Sequence, residues 1–203
     1  MIGKFVLIGS GIYFLLKGGS MPKLEVTDNL LKAIDIIVSI LKNRPDPMVF
    51  ARIVYYAYKY DIPISIAIAM VNQESAFKPN AFRAEPGSYD STVKRIPRFS
   101  VYPKEKWGSY GLTQVMVGTA VDMGHSFGVE HLDKLYDQDV NLKLGFRYLK
   151  KMYKKFGDWK KALQAYNAGP GSVINNWEAG KNYAASVTAK AEKLKSTNID
   201  ILV

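Results

Sequence analysis

The segment NQESAFKPNAF, residues 72–82, holds a single carboxylate, Glu74, at the end of an apolar stretch. The preceding residues, IPISIAIAMV at 62–71, are almost entirely apolar. A glutamate placed among apolar side chains is desolvated, which raises its pKa and leaves it protonated near neutral pH. That protonation state is the one a general acid needs. Glu74 is therefore the candidate catalytic residue of the sequence.

Two further segments carry side chains that suit the same site. GSYGLTQVM, residues 108–116, places glycines beside Gln114 and Met116, and AYNAGPG, residues 165–171, ends an apparent helix with a Tyr-Asn pair. Amides and a phenol pair with N-acetyl and hydroxyl groups, while an apolar wall keeps a nearby acid protonated. These residue types favour a neutral, amide-bearing sugar as the ligand.

Composition limits the classes of partner. The 203 residues contain no cysteine, which excludes disulfides and thiolate zinc sites, and they carry a formal net charge of +10. Such a charge attracts nucleic acid, anionic lipid or anionic wall polymers. No zinc-finger spacing and no basic recognition helix is present, which argues against nucleic acid. His125 and His131 have no acid at metal-ligand spacing, so we expect neither a metal nor a cofactor.

The N-terminal residues 1–20 stand apart from the rest of the chain. An apolar run at 5–16 lies between Lys4 and Lys17. As a helix it would span about 18 Å, short of the roughly 30 Å of bilayer hydrocarbon. An export signal, a short membrane-associating anchor and an arm packed on a partner all remain open. We assign residues 21–203 to the catalytic domain.

From Asp28 onward the pattern is helical. Apolar residues recur at three- and four-residue spacing in TDNLLKAIDIIVSILKN and in DQDVNLKLGFRYLKKMYKKFG. IPISIAIAMVNQES alternates like a strand, but its small residues and Pro63 favour a buried helix. The expectation is a mostly α fold with seven or eight helices and little or no sheet.

Residues 83–110 are rich in Pro, Gly, Ser, charge and aromatics and show no clear period. This composition predicts a long irregular loop or a small subdomain, and loops of that length are usually functional or mobile. We expect Phe99, Tyr102 and Trp107 to fix this segment in place rather than to stack on sugars.

In combination, ESAF, GLTQVM followed by TA, N…G..YL and AYNAGPGSV resemble the lytic transglycosylases that share the soluble lytic transglycosylase (SLT) catalytic domain, and they are similar to goose-type lysozymes. The resemblance covers about residues 48–195. It implies a mostly α, lysozyme-like fold that needs no cofactor. It also implies cleavage of the peptidoglycan β-1,4 bond between N-acetylmuramic acid and N-acetylglucosamine, leaving a 1,6-anhydro ring.

The resemblance also assigns site residues. Because the muramic acid's own C6 hydroxyl replaces water, one acid is enough, whereas water-using glycosidases usually need two carboxyl groups. The family's acid falls on Glu74. Substrate-binding positions fall on Ser75, Gln114, Met116, Tyr166, Asn167 and, as a weaker match, Tyr183.

Departures from the family pattern are few. Thr113 stands where Met is common, and Val117 stands where Pro often precedes the TA pair. The larger difference is the length of the segment between Glu74 and Gly111, which has 36 residues where the family often has fewer than half as many. The extra residues are those from 83 onward. This extension resembles those of phage virion-associated members. If an acid of the extension reached across the cleft, it could supply a second carboxylate, and the alternative would then be a muramidase that uses water. The candidate acids are Glu85, Asp90 and Glu105.

The expected partner is the glycan strand of peptidoglycan, with membrane association through residues 5–16 and no nucleic acid. The expected location is the periplasm or cell envelope, or a virion, with the chain acting as a monomer or within a larger envelope or virion assembly. A wall-binding structural component with little catalysis is the alternative from a different class.

Overall fold

The computed structural model describes residues 28–124 and 129–199. Most of them are helical, which confirms the mostly α fold. The α-helices of these ranges are Asp28–Leu41 (α1), Pro47–Lys59 (α2), Ile64–Ser75 (α3), Pro86–Arg95 (α4), Val117–Asp122 (α5), Gln138–Phe156 (α6), Trp159–Ala168 (α7), Pro170–Asn175 (α8) and Lys181–Lys195 (α9). Short 3-10 helices cover Pro97–Val101, Lys104–Lys106 and Val129–Tyr136.

Helix α3 is the centre of the main core. It packs against α2 and α9, and α6 and α7 complete the layer around them. Its residues Ala67–Val71 are fully buried, which is why the segment is apolar on nearly every side. The helical prediction for IPISIAIAMVNQES is thus confirmed over the strand alternative.

Local signals set the helix ends. The Asp46 carboxylate accepts hydrogen bonds from the backbone N–H groups of Met48 and Val49, which caps α2 and separates it from α1 at the RPDP segment. Asp158 caps α7 in the same way through the N–H of Lys161. Each such cap stabilises its helix by about 1 kcal/mol.

For residues 83–110 the composition left open a long irregular loop or a small subdomain, and the structure shows a small subdomain with its own elements. They contain most of β1 (Phe82–Ala84), all of α4 and all of β2 (Gly108–Tyr110). β1, β2 and β3 (Val115–Met116) form an antiparallel sheet in that order, so the expectation of little or no sheet missed a small one. The elements are too short to give a readable period.

Aromatic burial holds the subdomain together. Phe99, Tyr102 and Trp107 lie in a second hydrophobic cluster, separate from the main core. Trp107 is 1% exposed, and its indole N–H donates to the Ser88 hydroxyl at 3.0 Å. The expected fixing role of these three aromatics is confirmed.

Residues 1–20, His125 and the side chain of His131 lie outside the described residues. The predictions made for them stay predictions. Within 28–124 and 129–199, none of the helices has the length and apolar character needed to cross a membrane.

Candidate active site

Glu74 lies in the last turn of α3, just before an abrupt change of direction. Ala76 and Phe77 both adopt left-handed backbone conformations, with φ of 51° and 65°. Such conformations cost a non-glycine residue about 1 kcal/mol or more and persist only where the surroundings enforce them. Here Phe77 is buried, and the Ser75 hydroxyl donates to the carbonyl of Leu112 at 2.8 Å. These contacts fix the helix end that carries the acid.

Glu74 opens onto a cavity of about 350 Å³, the acid pocket. Five of the predicted site residues line this pocket together, although they come from three separate parts of the chain. These are Glu74, Gln114, Met116, Tyr166 and Asn167. The other lining residues are Arg83, Glu85, Ser88, Ser109, Thr119, Tyr148, Ala168 and Gly169.

Burial raises the pKa of the Glu74 carboxyl. Desolvation raises its pKa from 4.5 to about 7, and the charge of Glu85 adds to the rise. A hydrogen bond from Tyr183 and the charge of Arg83 act in the opposite direction without cancelling it. At neutral pH the protonated and ionised forms are therefore both well populated, so the same group can donate a proton and later accept one.

The remaining predicted residues, Ser75 and Tyr183, are not among those that line the acid pocket. The Tyr183 hydroxyl, from the first turn of α9, donates to Glu74 Oε1 at 2.5 Å. Burial and the neighbouring Glu74 charge hold the pKa of Tyr183 well above its ordinary value, so it stays a donor. Ser75 is 7% exposed and bonds to backbone carbonyls. Both residues act on the position of Glu74 in this structure.

The turn at residues 111–114 contributes Gln114 to the lining of the acid pocket, and Asn141 on α6 holds this turn in place. The Asn141 side chain accepts from the Thr113 N–H at 2.9 Å and donates to the Tyr110 carbonyl at 2.8 Å. Gly145 allows the helix to approach, because a Cβ there would lie 2.3 Å from Thr113 Oγ1. Gly111 has φ of 69°, and a Cβ there would lie 2.4 Å from Asn141 Nδ2. The N…G motif therefore shapes the wall rather than contacting a ligand.

The turn presents Gln114 and supports Tyr166. Gln114 Nε2 donates to the carbonyls of Gly111 and Ala81 at 3.0 and 3.2 Å, which occupies both amide hydrogens and leaves Oε1 as the acceptor for a ligand. Tyr166 also lines the pocket, and its hydroxyl hydrogen is engaged by the Thr113 carbonyl at 2.7 Å. Asn167 is exposed at the end of α7.

Reasoning from sequence gave no role to Tyr148, which lines the acid pocket with its ring centroid 5.4 Å from that of Tyr166. Tyr148 belongs to the N…G..YL motif, so a signal was available. Of the three acids in the extension, Glu85 lines the pocket, whereas Asp90 and Glu105 do not. The Glu85 carboxylate accepts from Arg83 at 2.6 Å and from the Ser109 hydroxyl at 3.1 Å.

Among the described side chains there is no group of three or more His, Cys, Asp or Glu residues that could hold a metal ion. The charged residues in the lining of the acid pocket are Glu74, Arg83 and Glu85, and the other lining residues are neutral. This arrangement suits proton transfer to and from an uncharged ligand.

Comparison with known proteins identifies the family. The family model described as "Transglycosylase SLT domain" matches residues 52–188. The chain belongs to the SLT transglycosylase domain family. The match includes all seven predicted site residues and spans the small subdomain.

Similar proteins include soluble lytic murein transglycosylases. The Escherichia coli K12 protein is 32% identical over 122 residues, and the Salmonella typhimurium protein is 31% identical over the same length. These matches cover 58% of this chain but 16% of the relatives. The SLT domain described here therefore corresponds to a small part of much longer proteins.

Solved structures similar to this chain are also lytic transglycosylases of much greater length. An inactive mutant of the lytic transglycosylase Slt from Pseudomonas aeruginosa matches with a TM-score of 0.54 and 26% identity, over 73% of this chain and 24% of that one. The 70 kDa soluble lytic transglycosylase of Escherichia coli shares the fold, with a TM-score of 0.55 over 75% of this chain and 25% of that one. At 22% identity, this second likeness concerns the fold alone.

Proposed function

We propose that this chain is a peptidoglycan lytic transglycosylase. It cleaves the β-1,4 bond between N-acetylmuramic acid and N-acetylglucosamine and forms 1,6-anhydro-muramic acid. The observation that carries the proposal is Glu74, a desolvated acid whose pKa of about 7 suits both halves of a proton-transfer cycle. Family membership and the similarity to soluble lytic murein transglycosylases support the same reaction.

In the first step, protonated Glu74 gives its proton to the glycosidic oxygen while the bond from that oxygen to C1 of the muramic residue breaks. The glucosamine leaves as an alcohol, and positive charge develops at C1. In the second step, the C6 hydroxyl oxygen of the same muramic residue bonds to C1, and its proton passes to the Glu74 carboxylate. Glu74 ends protonated, as it began, and no water is consumed.

The other site residues position either Glu74 or the substrate. Tyr183 holds one carboxylate oxygen of Glu74, which leaves the other for the glycosidic oxygen. Gln114 Oε1 accepts from the N–H of an N-acetyl group, and Asn167 supplies an amide at the pocket rim. The Tyr166 ring and Met116 form the apolar wall that keeps the site poor in water. We expect Gln114, Met116, Tyr148, Tyr166 and Asn167 to contact the substrate.

The test is mass spectrometry of purified peptidoglycan digested by the full chain beside a Glu74→Gln variant. Products ending in 1,6-anhydro-muramic acid, absent with the variant, are the expected result. Reducing-end products, heavier by one water, would replace the transglycosylase with a hydrolase. Circular dichroism of both proteins verifies that the variant is folded, and a folded wild-type protein that cleaves no glycan would contradict the proposal.

A second candidate, the hydrolytic muramidase, has one observation in its favour, namely Glu85 in the acid pocket. Water-using glycosidases pair an acid with a second carboxylate. The Glu85 carboxylate already accepts hydrogen bonds from Arg83 and Ser109, so it is not free to take a proton from water. We therefore favour the transglycosylase and assign Glu85 an electrostatic role.

The location proposed with this function is the cell envelope, because the glycan strands of peptidoglycan lie there. Delivery through the periplasm, by a virion, or by a larger envelope assembly is compatible with the positive charge of the chain. Membrane association through residues 5–16 would keep the domain near the wall. A wall-binding component with little catalysis is disfavoured, because such a component has no need for a desolvated acid in a pocket.

A further inference from the structure

Helix α9 donates hydrogen bonds to the last turn of α3 from three polar side chains, and Tyr183 is only the first of them. The Ser186 hydroxyl donates to Gln73 Oε1 at 2.9 Å, and the Lys190 ammonium donates to the same oxygen at 2.5 Å. Gln73 immediately precedes Glu74, the acceptor of the Tyr183 bond. The acid and its neighbour in the chain are therefore both bound to α9.

The three donors lie on one face of α9. Tyr183, Ser186 and Lys190 follow each other at three- and four-residue spacing, which places side chains one above another along a helix. Helix α9 packs against α3 along this face. The two bonds to Gln73 are thus made about one and two turns further along α9 than the bond to Glu74.

The Gln73 side chain is well suited to hold both donors. An amide oxygen has two lone pairs, and a lysine ammonium can only donate, so Lys190 requires the oxygen of Gln73 rather than its NH2 group. All three side chains are half-buried, and burial lowers the pKa of Lys190. Hydrogen bonds are stronger in such partly desolvated surroundings than at an exposed surface. We name Gln73, Ser186 and Lys190 the α3–α9 lock.

The acceptor in the lock is neutral, although it binds a lysine. A carboxylate in place of Gln73 would form a stronger bond with Lys190, but its negative charge would lie beside Glu74 and raise the pKa of that acid. The charged groups that act on Glu74 are Arg83 and Glu85, both from the subdomain. Glutamine fixes α9 to α3 without adding a further charge next to the acid.

The first turn of α9 is the part of the helix that needs this support. Its cap residue, Gly180, makes no side-chain hydrogen bond to the turn, and helix ends fray readily. Tyr183 lies in this first turn. The lock holds α9 further along, where the backbone hydrogen bonds of the helix are complete, and so keeps the first turn in register with Glu74.

We propose that the α3–α9 lock positions the catalytic acid: by fixing α9 against the last turn of α3, it holds the Tyr183 hydroxyl on Glu74 Oε1. The inference rests on the proposed function and deepens it. Within the part of the chain that the structure describes, the three side chains of the lock are outside the lining of the acid pocket. They are therefore positioning residues, which act through Tyr183 rather than on the substrate.

The first measurement is the pKa of Glu74, taken from an NMR titration of its carboxyl carbon in the full chain, with Glu74→Gln to assign the signal. Because the Tyr183 bond favours the ionised form, a looser bond raises this pKa. Lys190→Met should raise it by about 0.5. Lys190→Arg, which can still donate to Gln73, should keep the wild-type value, and Ser186→Ala should give a smaller rise than Lys190→Met.

Two further variants separate the hydrogen bonds of the lock from the charge of Lys190. Gln73→Leu removes the acceptor and keeps every charge, so it should also raise the pKa of Glu74. Lys193→Met removes a positive charge from an exposed position on the same helix and should leave that pKa unchanged. Thermal unfolding verifies that each variant is folded.

Glycan cleavage gives a second reading. An acid that is held less well in the transition state lowers kcat and kcat/KM together and leaves KM as it is. Lys190→Met and Gln73→Leu should therefore lose about threefold in kcat, the same free energy as the rise in pKa. In both variants the basic limb of the kcat/KM profile should move to higher pH.

The outcomes distinguish the lock from its alternatives. A pKa of Glu74 that neither Lys190→Met nor Gln73→Leu changes would overturn the inference. So would an equal rise in Lys193→Met, or a rise in Lys190→Met without one in Gln73→Leu, because either result assigns the effect to charge. If Lys190→Met is unfolded, Ser186→Ala and Gln73→Leu decide by the same criterion. If the folded wild type cleaves no glycan, the proposed function fails, whereas the NMR titration still decides whether the lock holds the acid.

Discussion

The Tyr183 hydroxyl donates to Glu74 Oε1 across 2.5 Å, joining two residues that lie 109 positions apart in the chain. The contact links the first turn of α9 to the last turn of α3. Burial alone would push the carboxyl toward its neutral form, and this bond offsets part of that effect by stabilising the carboxylate. Tyr183 thus sets both where the acid points and how readily it loses its proton.

Replacing Tyr183 by Phe removes the hydroxyl and keeps the ring. Because the lost hydrogen bond favours the ionised form, the pKa of Glu74 should rise further above about 7. The protonated acid then persists to higher pH, so the basic limb of the kcat/KM profile should move to higher pH. We also expect kcat to fall by about fivefold, the value of a hydrogen bond worth about 1 kcal/mol.

The measurement is the pH dependence of glycan cleavage for the wild type and the variant. Tyr153→Phe is the matched control, since Tyr153 packs on Trp159, away from the lining of the acid pocket, and its variant should keep the wild-type profile. A basic limb that moves to lower pH in Tyr183→Phe would contradict the assigned role.

Glu85→Gln should shift the same profile in the other direction. The negative charge of Glu85 raises the pKa of Glu74, and the variant also frees Arg83, whose charge lowers it. Both changes stabilise the Glu74 carboxylate, so the basic limb should move to lower pH.

Product analysis of the Glu85 variant gives an independent reading. If Glu85 activated water, its loss would remove reducing-end products and leave the anhydro products. We expect instead that anhydro products dominate in both proteins. Glu105→Gln, which changes an exposed acid outside the acid pocket, serves as the control for the change in charge.

The sequence predicted the elements whose signals are local. The three- and four-residue spacing located α1 and α6, and the Asp-Trp and Ala-Gly-Pro boundaries located α7. The short motifs also predicted five of the residues that line the acid pocket, because each motif fixes a helix end or a tight turn. The sequence therefore predicts the helices that have local signals and the pocket residues that lie in short motifs.

What the sequence left undecided depends on contacts between distant residues. The subdomain gave no period because its elements are short and its stability comes from the buried ring of Trp107 rather than from any repeated pattern. The hydrogen bond of Tyr183 to Glu74 required the packing of α9 on α3. The distance of Glu85 from Glu74 in the chain likewise gives no indication that both line one pocket.

Gly145→Ala tests whether the motif glycine shapes the pocket wall. The added Cβ would lie 2.3 Å from Thr113 Oγ1, so α6 or the 111–114 turn must move. Overpacking of this kind costs about 1–3 kcal/mol. Because the Thr113 carbonyl is the acceptor of the Tyr166 hydroxyl, the displacement should also lower cleavage activity.

Urea unfolding and glycan cleavage measure the two effects. The matched control is Gly87→Ala on α4, where an added Cβ meets nothing within 4 Å. It should leave activity unchanged and stabilise the protein slightly, by up to about 1 kcal/mol, since alanine suits a helix better than glycine. Equal stabilities for the Gly145 and Gly87 variants would contradict the tight approach of α6.

Glu74→Gln should stabilise the protein in a pH-dependent way. The pKa of Glu74 is raised from 4.5 to about 7 in the folded protein. Between these values the folded state holds a proton that the unfolded state has lost, so the free energy of unfolding of the wild type falls as pH rises through this window. Glutamine does not titrate, so the variant lacks this contribution.

The stability difference between variant and wild type should therefore be small at about pH 4 and reach about 3 kcal/mol in favour of the variant at about pH 8. Urea unfolding at the two pH values measures it, with Glu192→Gln as the control for the loss of an exposed carboxylate. A Glu74 difference that is equal at both pH values would mean that the carboxyl is not desolvated. Because the same desolvation makes Glu74 an acid near neutral pH, the variant should lose glycan cleavage by at least about a hundredfold while gaining stability.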